Sequence, residues 1–301
     1  MTEHTTAYLG EKTVAIFLFH GVIHSRRHAI RNYTDKHVLL DRFCSVLRGL
    51  KSQGHAISMS EIVAALSNGS VLPPRAFAVT FDDGFENNYT VAAPVLSELK
   101  IPAMFYVTTG FIESNGSSWI DMIEYAFERM QTIRLNLPFS PHAVSCSDRG
   151  DKTVLLDHIR ASVKGMPALD PYAVARSVWE QLGISTMEPD PELDQKMSWK
   201  QVAELSRDPL FTVGGHGHTH RILEYLDEAE LEHEIGLSCQ ILQQHVGLVE
   251  HYSYPEGLAY CYSNRVICQL KQQGIVCAPS AEQGTNCVGD DLFHLKRIMV
   301  S

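Results

Sequence analysis

A short run of β-forming residues, Ala76 to Phe81, ends on two adjacent carboxylates and a glycine, Asp82-Asp83-Gly84. The run carries no charge on either face, so as a strand it is covered on both sides, which is the environment of a parallel sheet flanked by helices. A helix from about Val91 to Leu99 and a second strand, Ala103 to Val107, follow it. Strand, helix, strand in this order implies parallel pairing through a crossover. Sites in parallel α/β folds assemble at the C-terminal ends of strands, and the two carboxylates stand at such an end.

The pattern extends along the chain. Val14 to Phe19 reads as a buried strand that delivers His20. Val38, Leu39, Phe43, Val46, Leu47 and Leu50 recur at helical spacing, with Gly54 as a stop. Ser58 and Glu61 form a capping box that opens a helix ending near Asn68-Gly69. Residues 114–200 interrupt the rhythm with helical patches at 119–130, 153–163 and 172–182 and no strong strand. The alternation resumes with a helix at 200–205, a strand at 210–213, the cluster GGHGHTH, a helix at 228–245 and a strand at 250–254. A helix at 263–273 and strands at 275–278 and 293–300 complete it. With no internal repeat, residues 1–301 read as a single α/β barrel domain carrying a helical insertion at about 114–200.

Composition narrows the function. Lys and Arg number 25 against 35 Asp and Glu, a formal charge of -10, the wrong sign for nucleic-acid binding by phosphate neutralisation. Hydrophobic residues at 45% and charged residues at 20% are ordinary globular usage. Seven scattered cysteines without a C-x-x-C pair indicate neither a disulfide framework nor a cysteine zinc site. The first apolar run is too short for a signal h-region or a membrane span, so the expectation is a cytoplasmic protein without a transmembrane segment. Nothing in the sequence reads out an oligomeric state.

Two clusters carry chemistry. His216 and His220, four apart, can present both rings to one metal ion from a helical turn, with Gly214 and Gly215 ahead of them at a strand end. In TFDDGFENNY, neighbouring carboxylates cannot both face one cavity ionised unless a cation offsets their repulsion. One aspartate on a metal and its neighbour as a base is the chemically sensible division.

TFDDG at 80–84, H-x-x-x-H at 216–220 and YPEG at 254–257, in this order, resemble the polysaccharide deacetylase family, also called the NodB-homology or carbohydrate esterase 4 group. The resemblance covers roughly residues 14–110 and 198–300. It implies a distorted (β/α)7 barrel and a divalent metal, most often Zn2+, with Co2+, Ni2+ or Fe2+ as alternatives. It further implies hydrolysis of the N-acetyl or N-formyl amide of an amino sugar. Asp83, His216 and His220 become the metal ligands and Asp82 the base that activates the attacking water. The segment Tyr254, Pro255, Glu256 becomes substrate-binding, with a backbone N–H near Glu256 completing an oxyanion hole.

The chain also departs from the family pattern. The position of the arginine that orients the base holds Ser253; Arg297, in the last strand, is a candidate replacement or a surface charge. Two histidines compete as general acid: His20, whose segment FLFHGV is similar to that of the branch acting on poly-N-acetylglucosamine, and His294, nearer the family's C-terminal position. Trp119 reads as a sugar-stacking platform or as core, and His251 as structural. The substrate expected for a cytoplasmic enzyme is a soluble, lipid-linked or nucleotide-linked glycan precursor. The alternatives are a catalytically silent glycan- or partner-binding relative and a hydrolase of a non-sugar C–N bond.

Overall fold

The computed structural model describes residues 5–301, which form two compact units. The first comprises the chain up to His24, Lys36–Gly116 and Glu192–Ser301. It opens with β1 (Thr13–Phe19), β2 (Gly21–Ile23), β3 (His37–Leu39), α1 (Leu40–Gln53) and β4 (His55–Ala56). Next come α2 (Met59–Asn68) and β5 (Ala76–Phe81), then a π-helical turn (Asn88–Ala92) that leads into α3 (Ala93–Leu99). β6 (Ala103–Val107) and α4 (Thr109–Ser114) end this stretch.

The second unit joins Ser25–Asp35 to Ser117–Pro191. It holds α5 (Trp119–Arg129), β7 (Ile133–Leu135), β8 (Val144–Cys146), α6 (Arg149–Gly165) and α7 (Pro171–Gln181). β7 and β8 pair antiparallel, so the stretch expected to be purely helical contains a small sheet. The 25–35 segment is tied in by the Glu128 carboxylate, which accepts the N–H groups of Ala29, Ile30 and Arg31 at 3.2, 2.6 and 3.2 Å. Ile30 joins a core with Ile123, Phe127, Leu156, Ile159 and Val178. Trp119 belongs to this core and is 2% exposed, which removes it as a sugar platform.

The first unit continues with α8 (Trp199–Arg207), β9 (Phe211–Gly215), α9 (Glu228–Val246), α10 (Asn264–Gln272), β10 (Asn286–Cys287) and β11 (Ile298–Met299). The parallel order is β1, β5, β6, β9, with β11 parallel to β1 on its other side. Beyond β9 the expected strands at 250–254 and 275–278 are single parallel bridges, Gly215 to Tyr252 and His251 to Cys277. Hydrogen bonds from Ala278 N to Leu292 O and from Ser280 N to Leu295 O carry the ring to the segment leading into β11. The result is a distorted α/β barrel, closed over this arc by short contacts in place of full ladders.

Strand parity decides what faces inward, because side chains alternate along an extended backbone. Val14 and Ile16, Ala76 and Ala78, and Met104 and Tyr106 form one cluster with Cys277, Leu295 and the α2 residues Met59 and Ile62. Phe17, Phe19, Phe77, Phe81 and Phe105 belong to the other, with Phe43 and Leu47 of α1 and Ile235 of α9. Continuing the inward parity by one step past each strand gives His20 after β1 and Asp82 after β5.

The paired glycines ending β9 are there because chain passes close by. A Cβ on Gly214 would lie 2.6 Å from the carbonyl oxygen of His251, and one on Gly215 would lie 2.5 Å from the Tyr252 ring. Gly214→Ala, which meets rigid backbone, is expected to lose about 1–3 kcal/mol of stability in urea denaturation, the ordinary cost of overpacking.

Candidate active site

Two of the side chains at the barrel mouth sit on unusual backbone. Asp83 has φ +76° and His220 φ +59°, in the left-handed region that costs a non-glycine residue of order 1 kcal/mol and clusters at functional sites. The H-x-x-x-H segment is therefore a loop after β9 and not the helical turn expected from its spacing. The loop is fixed by Glu234 of α9, whose Oε1 accepts the N–H groups of His218 and Thr219 at 2.8 and 2.6 Å.

This backbone brings Asp83, His216 and His220 together, with one potential ligand atom from each within 4.8 Å of the others. His220 Nε2 lies 3.3 Å and His216 Nε2 3.6 Å from Asp83 Oδ1. That oxygen is buried and lacks a hydrogen-bond partner, as expected of an atom whose natural partner is a cation. His216 Nδ1 faces the Ser253 carbonyl at 2.9 Å; a carbonyl only accepts, so Nδ1 carries the proton and Nε2 keeps its lone pair. Burial drives His216 down to about 4, which keeps that ring neutral at physiological pH. The donor set, with the neutral Nε2 of His216, fits a divalent ion.

Charge is balanced residue by residue. Burial would raise Asp83, but its contact with His220 and the ammonium of Lys36, 3.7 Å from Oδ2, hold it well below the usual carboxylate range. His220 is raised, because the Asp83 contact outweighs the effect of burial. Lys36 also lies 4.9 Å from the centre of the Phe85 ring. A single basic residue at a helix approach carries no signal in the sequence, and Lys36 stands out only where the fold brings it to Asp83.

Asp82 is held differently. Arg297 Nη1 donates to Oδ1 and Nη2 to Oδ2, both at 2.8 Å, while its Nε donates to the Ser280 carbonyl at 2.6 Å. Arg297 is 1% exposed and reaches past the Tyr106 ring inside the barrel. Burial raises Asp82, yet the guanidinium charge and then His216 outweigh it, so the carboxylate stays ionised. Ser253 Oγ donates to Asp82 Oδ1 at 3.2 Å and accepts from His216 Nδ1 at 2.6 Å, joining the two groups in one network. The arginine on Asp82 thus comes not from position 253 but from the residue that precedes β11.

His20 lies among these charges: burial lowers it, while Asp83 and then Asp82 pull it up. His294 does not join them; it pairs with Asp291 at 3.4 Å and sits against Tyr262. Tyr254 and Pro255, expected to touch substrate, are buried, and the Tyr254 hydroxyl donates to the Phe293 carbonyl at 3.0 Å while its ring stacks on Tyr262. Glu256 alone of that segment keeps partial exposure, at φ +61°. His251 is buried as structure and pushed down to about 4 by burial alone.

The fold and these side chains define a class, an α/β barrel whose C-terminal mouth holds an Asp-His-His set beside a second, arginine-bound carboxylate. The polysaccharide deacetylase family model matches residues 70–154 and 162–278, and the chain belongs to that family. IcaB from Ammonifex degensii is similar over 98% of this chain and 94% of its own, at 18% identity and a TM-score of 0.60. The Streptococcus pyogenes deacetylase PplD, solved with acetate, is similar over 96% and 92%, at 16% identity and a TM-score of 0.60. The deacetylase domain of BpsB from Bordetella bronchiseptica covers 96% of each chain, at 17% identity and a TM-score of 0.57. No curated protein sequence matches. Among the described residues no helix is long and apolar enough to cross a membrane.

Two measurements check the electrostatics. Arg297→Leu strands a buried carboxylate and is expected to cost about 3–5 kcal/mol by urea denaturation, part of which returns when Asp82→Asn is added. His251 binds no proton in the folded chain between its ordinary 6.5 and about 4, whereas the unfolded chain does. Its contribution is therefore complete above pH 6.5 and falls by up to ~3 kcal/mol as the pH drops to 4. His251→Gln should flatten that part of the stability profile.

Proposed function

We propose that the chain is a metal-dependent carbohydrate N-deacetylase that hydrolyses the N-acetyl or N-formyl amide of an amino sugar in a glycan or glycan precursor. The observation that carries this reading is the pairing of an ionised, arginine-clamped Asp82 with an Asp83-His216-His220 cluster whose buried carboxylate oxygen lacks a partner. Asp83, His216 and His220 would hold a divalent ion, most simply zinc, which when bound supplies Lewis-acid polarisation of the amide carbonyl and acidifies water.

The chain's own residues divide the remaining work. Asp82 takes a proton from the attacking water on a carboxylate that Arg297 and Ser253 hold fixed. The new C–O bond forms at the carbonyl carbon as negative charge gathers on its oxygen. His20 gives a proton to the sugar nitrogen as the C–N bond breaks, so that a neutral amine leaves. Burial makes the His20 imidazolium a readier proton donor than free histidine. Serine at 253 does not argue for a silent binding relative, because Arg297 engages Asp82.

Amine release from N-acetylglucosamine oligomers, read with metal content by elemental analysis, tests the proposal. Asp82→Asn is expected to keep about one ion per chain and lose at least ~100-fold in rate, while His216→Ala loses both ion and rate. A wild-type chain that takes up no divalent ion overturns it.

A further inference from the structure

The motif TFDDGFENNY contains two asparagines with no part in the chemistry above, and their side chains reach back to the strand that carries His20. Asn88 Nδ2 donates to the His20 carbonyl at 2.7 Å, and the Asn88 side chain is fully buried. Asn87 Oδ1 accepts the Val22 N–H at 3.2 Å, and Asn87 Nδ2 donates to His37 Nδ1 at 3.1 Å and to the Glu192 carbonyl at 2.8 Å. Gly21 sits in the slot between them. A Cβ there would lie 2.1 Å from His37 Nδ1 and 2.9 Å from Asn87 Nδ2. The backbone is thus held by the two asparagines at His20 and Val22, with no room for a side chain at Gly21 between them.

Asn88 also carries a cost that points to its use. Its Oδ1 is buried and accepts no hydrogen bond, and a buried polar atom left unmet is retained where the rest of the group is needed. The donor half is what meets His20. A π-helical turn begins at Asn88, a rare geometry found disproportionately at functional sites. The segment between Asp83 and this turn is itself pinned, with Glu86 N donating to the Gln195 carbonyl at 2.8 Å and Met197 N to the Gly84 carbonyl at 3.0 Å.

We infer that Asn88, assisted by Asn87, is a positioning residue for His20, and that the loop from Asp82 to Asn88 sets the separation between the proton-accepting and proton-donating groups. One end of this loop carries the carboxylates and the other holds the strand end bearing the imidazole. The inference rests on the reading of His20 as the acid. It goes beyond that reading in assigning the acid's placement to the motif that carries the base.

A leaving-group comparison separates this role from a structural one. An amide nitrogen must be protonated to leave, whereas the nitrophenolate of 4-nitrophenyl acetate leaves unaided, so a displaced acid harms only the amide reaction. Asn88→Ala is expected to lower kcat on N-acetylglucosamine oligomers by about 30-fold with KM little changed, to lower aryl acetate hydrolysis by less than about 3-fold, and to keep its metal content. Asn88→Asp, which removes the donor at constant volume, serves if the alanine variant does not fold. His20→Ala is measured beside them and should show the same selective loss. Equal loss on both substrates in the Asn88 variants, or no loss on either, overturns the inference while leaving His20 as the acid. Undiminished amide hydrolysis in His20→Ala overturns the acid reading and this inference with it.

Discussion

Two adjacent carboxylates buried at one barrel mouth repel each other and have lost most of their hydration, and each needs its own source of positive charge. Asp82 receives it from Arg297, which rises through the barrel interior and engages both carboxylate oxygens. Asp83 receives it from the side, from the Lys36 ammonium, with one oxygen left facing the two imidazole Nε2 atoms of its proposed partners in ion binding. The asymmetry separates the proposed roles. A carboxylate with both oxygens committed to a rigid fork is a positioned proton acceptor, and one with an oxygen to spare is a ligand.

Much else follows from satisfying this pair. The strained backbone at Asp83 and His220 turns the two side chains toward each other across the ends of β5 and β9. The glycines before His216 let the 251–253 segment approach β9 closely enough for Ser253 to reach both His216 and Asp82. Serine at 253 is then a coupling element between the proposed metal ligand His216 and the proposed base, where its residue type alone suggests a missing part.

The barrel and the identities of the cluster were legible because they depend on local signals. Apolar runs mark β1, β5 and β6, parity carries His20 and Asp82 inward, and the capping box at Ser58 and Glu61 forms as expected. The weaker strands at 250–254 and 275–278 were overestimated, since apolar residues there pack without forming ladders. Long-range pairings were not legible. The ion pair of Arg297 with Asp82 was one of two open readings, and the attachment of 25–35 to the unit of 117–191 was missed, because a loop's destination depends on carboxylates such as Glu128 nearly a hundred residues away. Asn88 was visible within a quoted motif, but its partner is a backbone carbonyl, which no side-chain pattern announces.

The guanidinium that aligns Asp82 comes from a residue 215 positions further along the chain. The Asp-His-His cluster is already encoded once β9 and its loop exist, whereas the aligned carboxylate waits for the ring to close at β11. The proposed ion site and the clamped carboxylate therefore arrive at different stages of chain growth, and they would part again if β11 peeled away from β1 while the rest of the sheet held. On the proposed roles, a chain interrupted between those stages would be a cation trap without a working base.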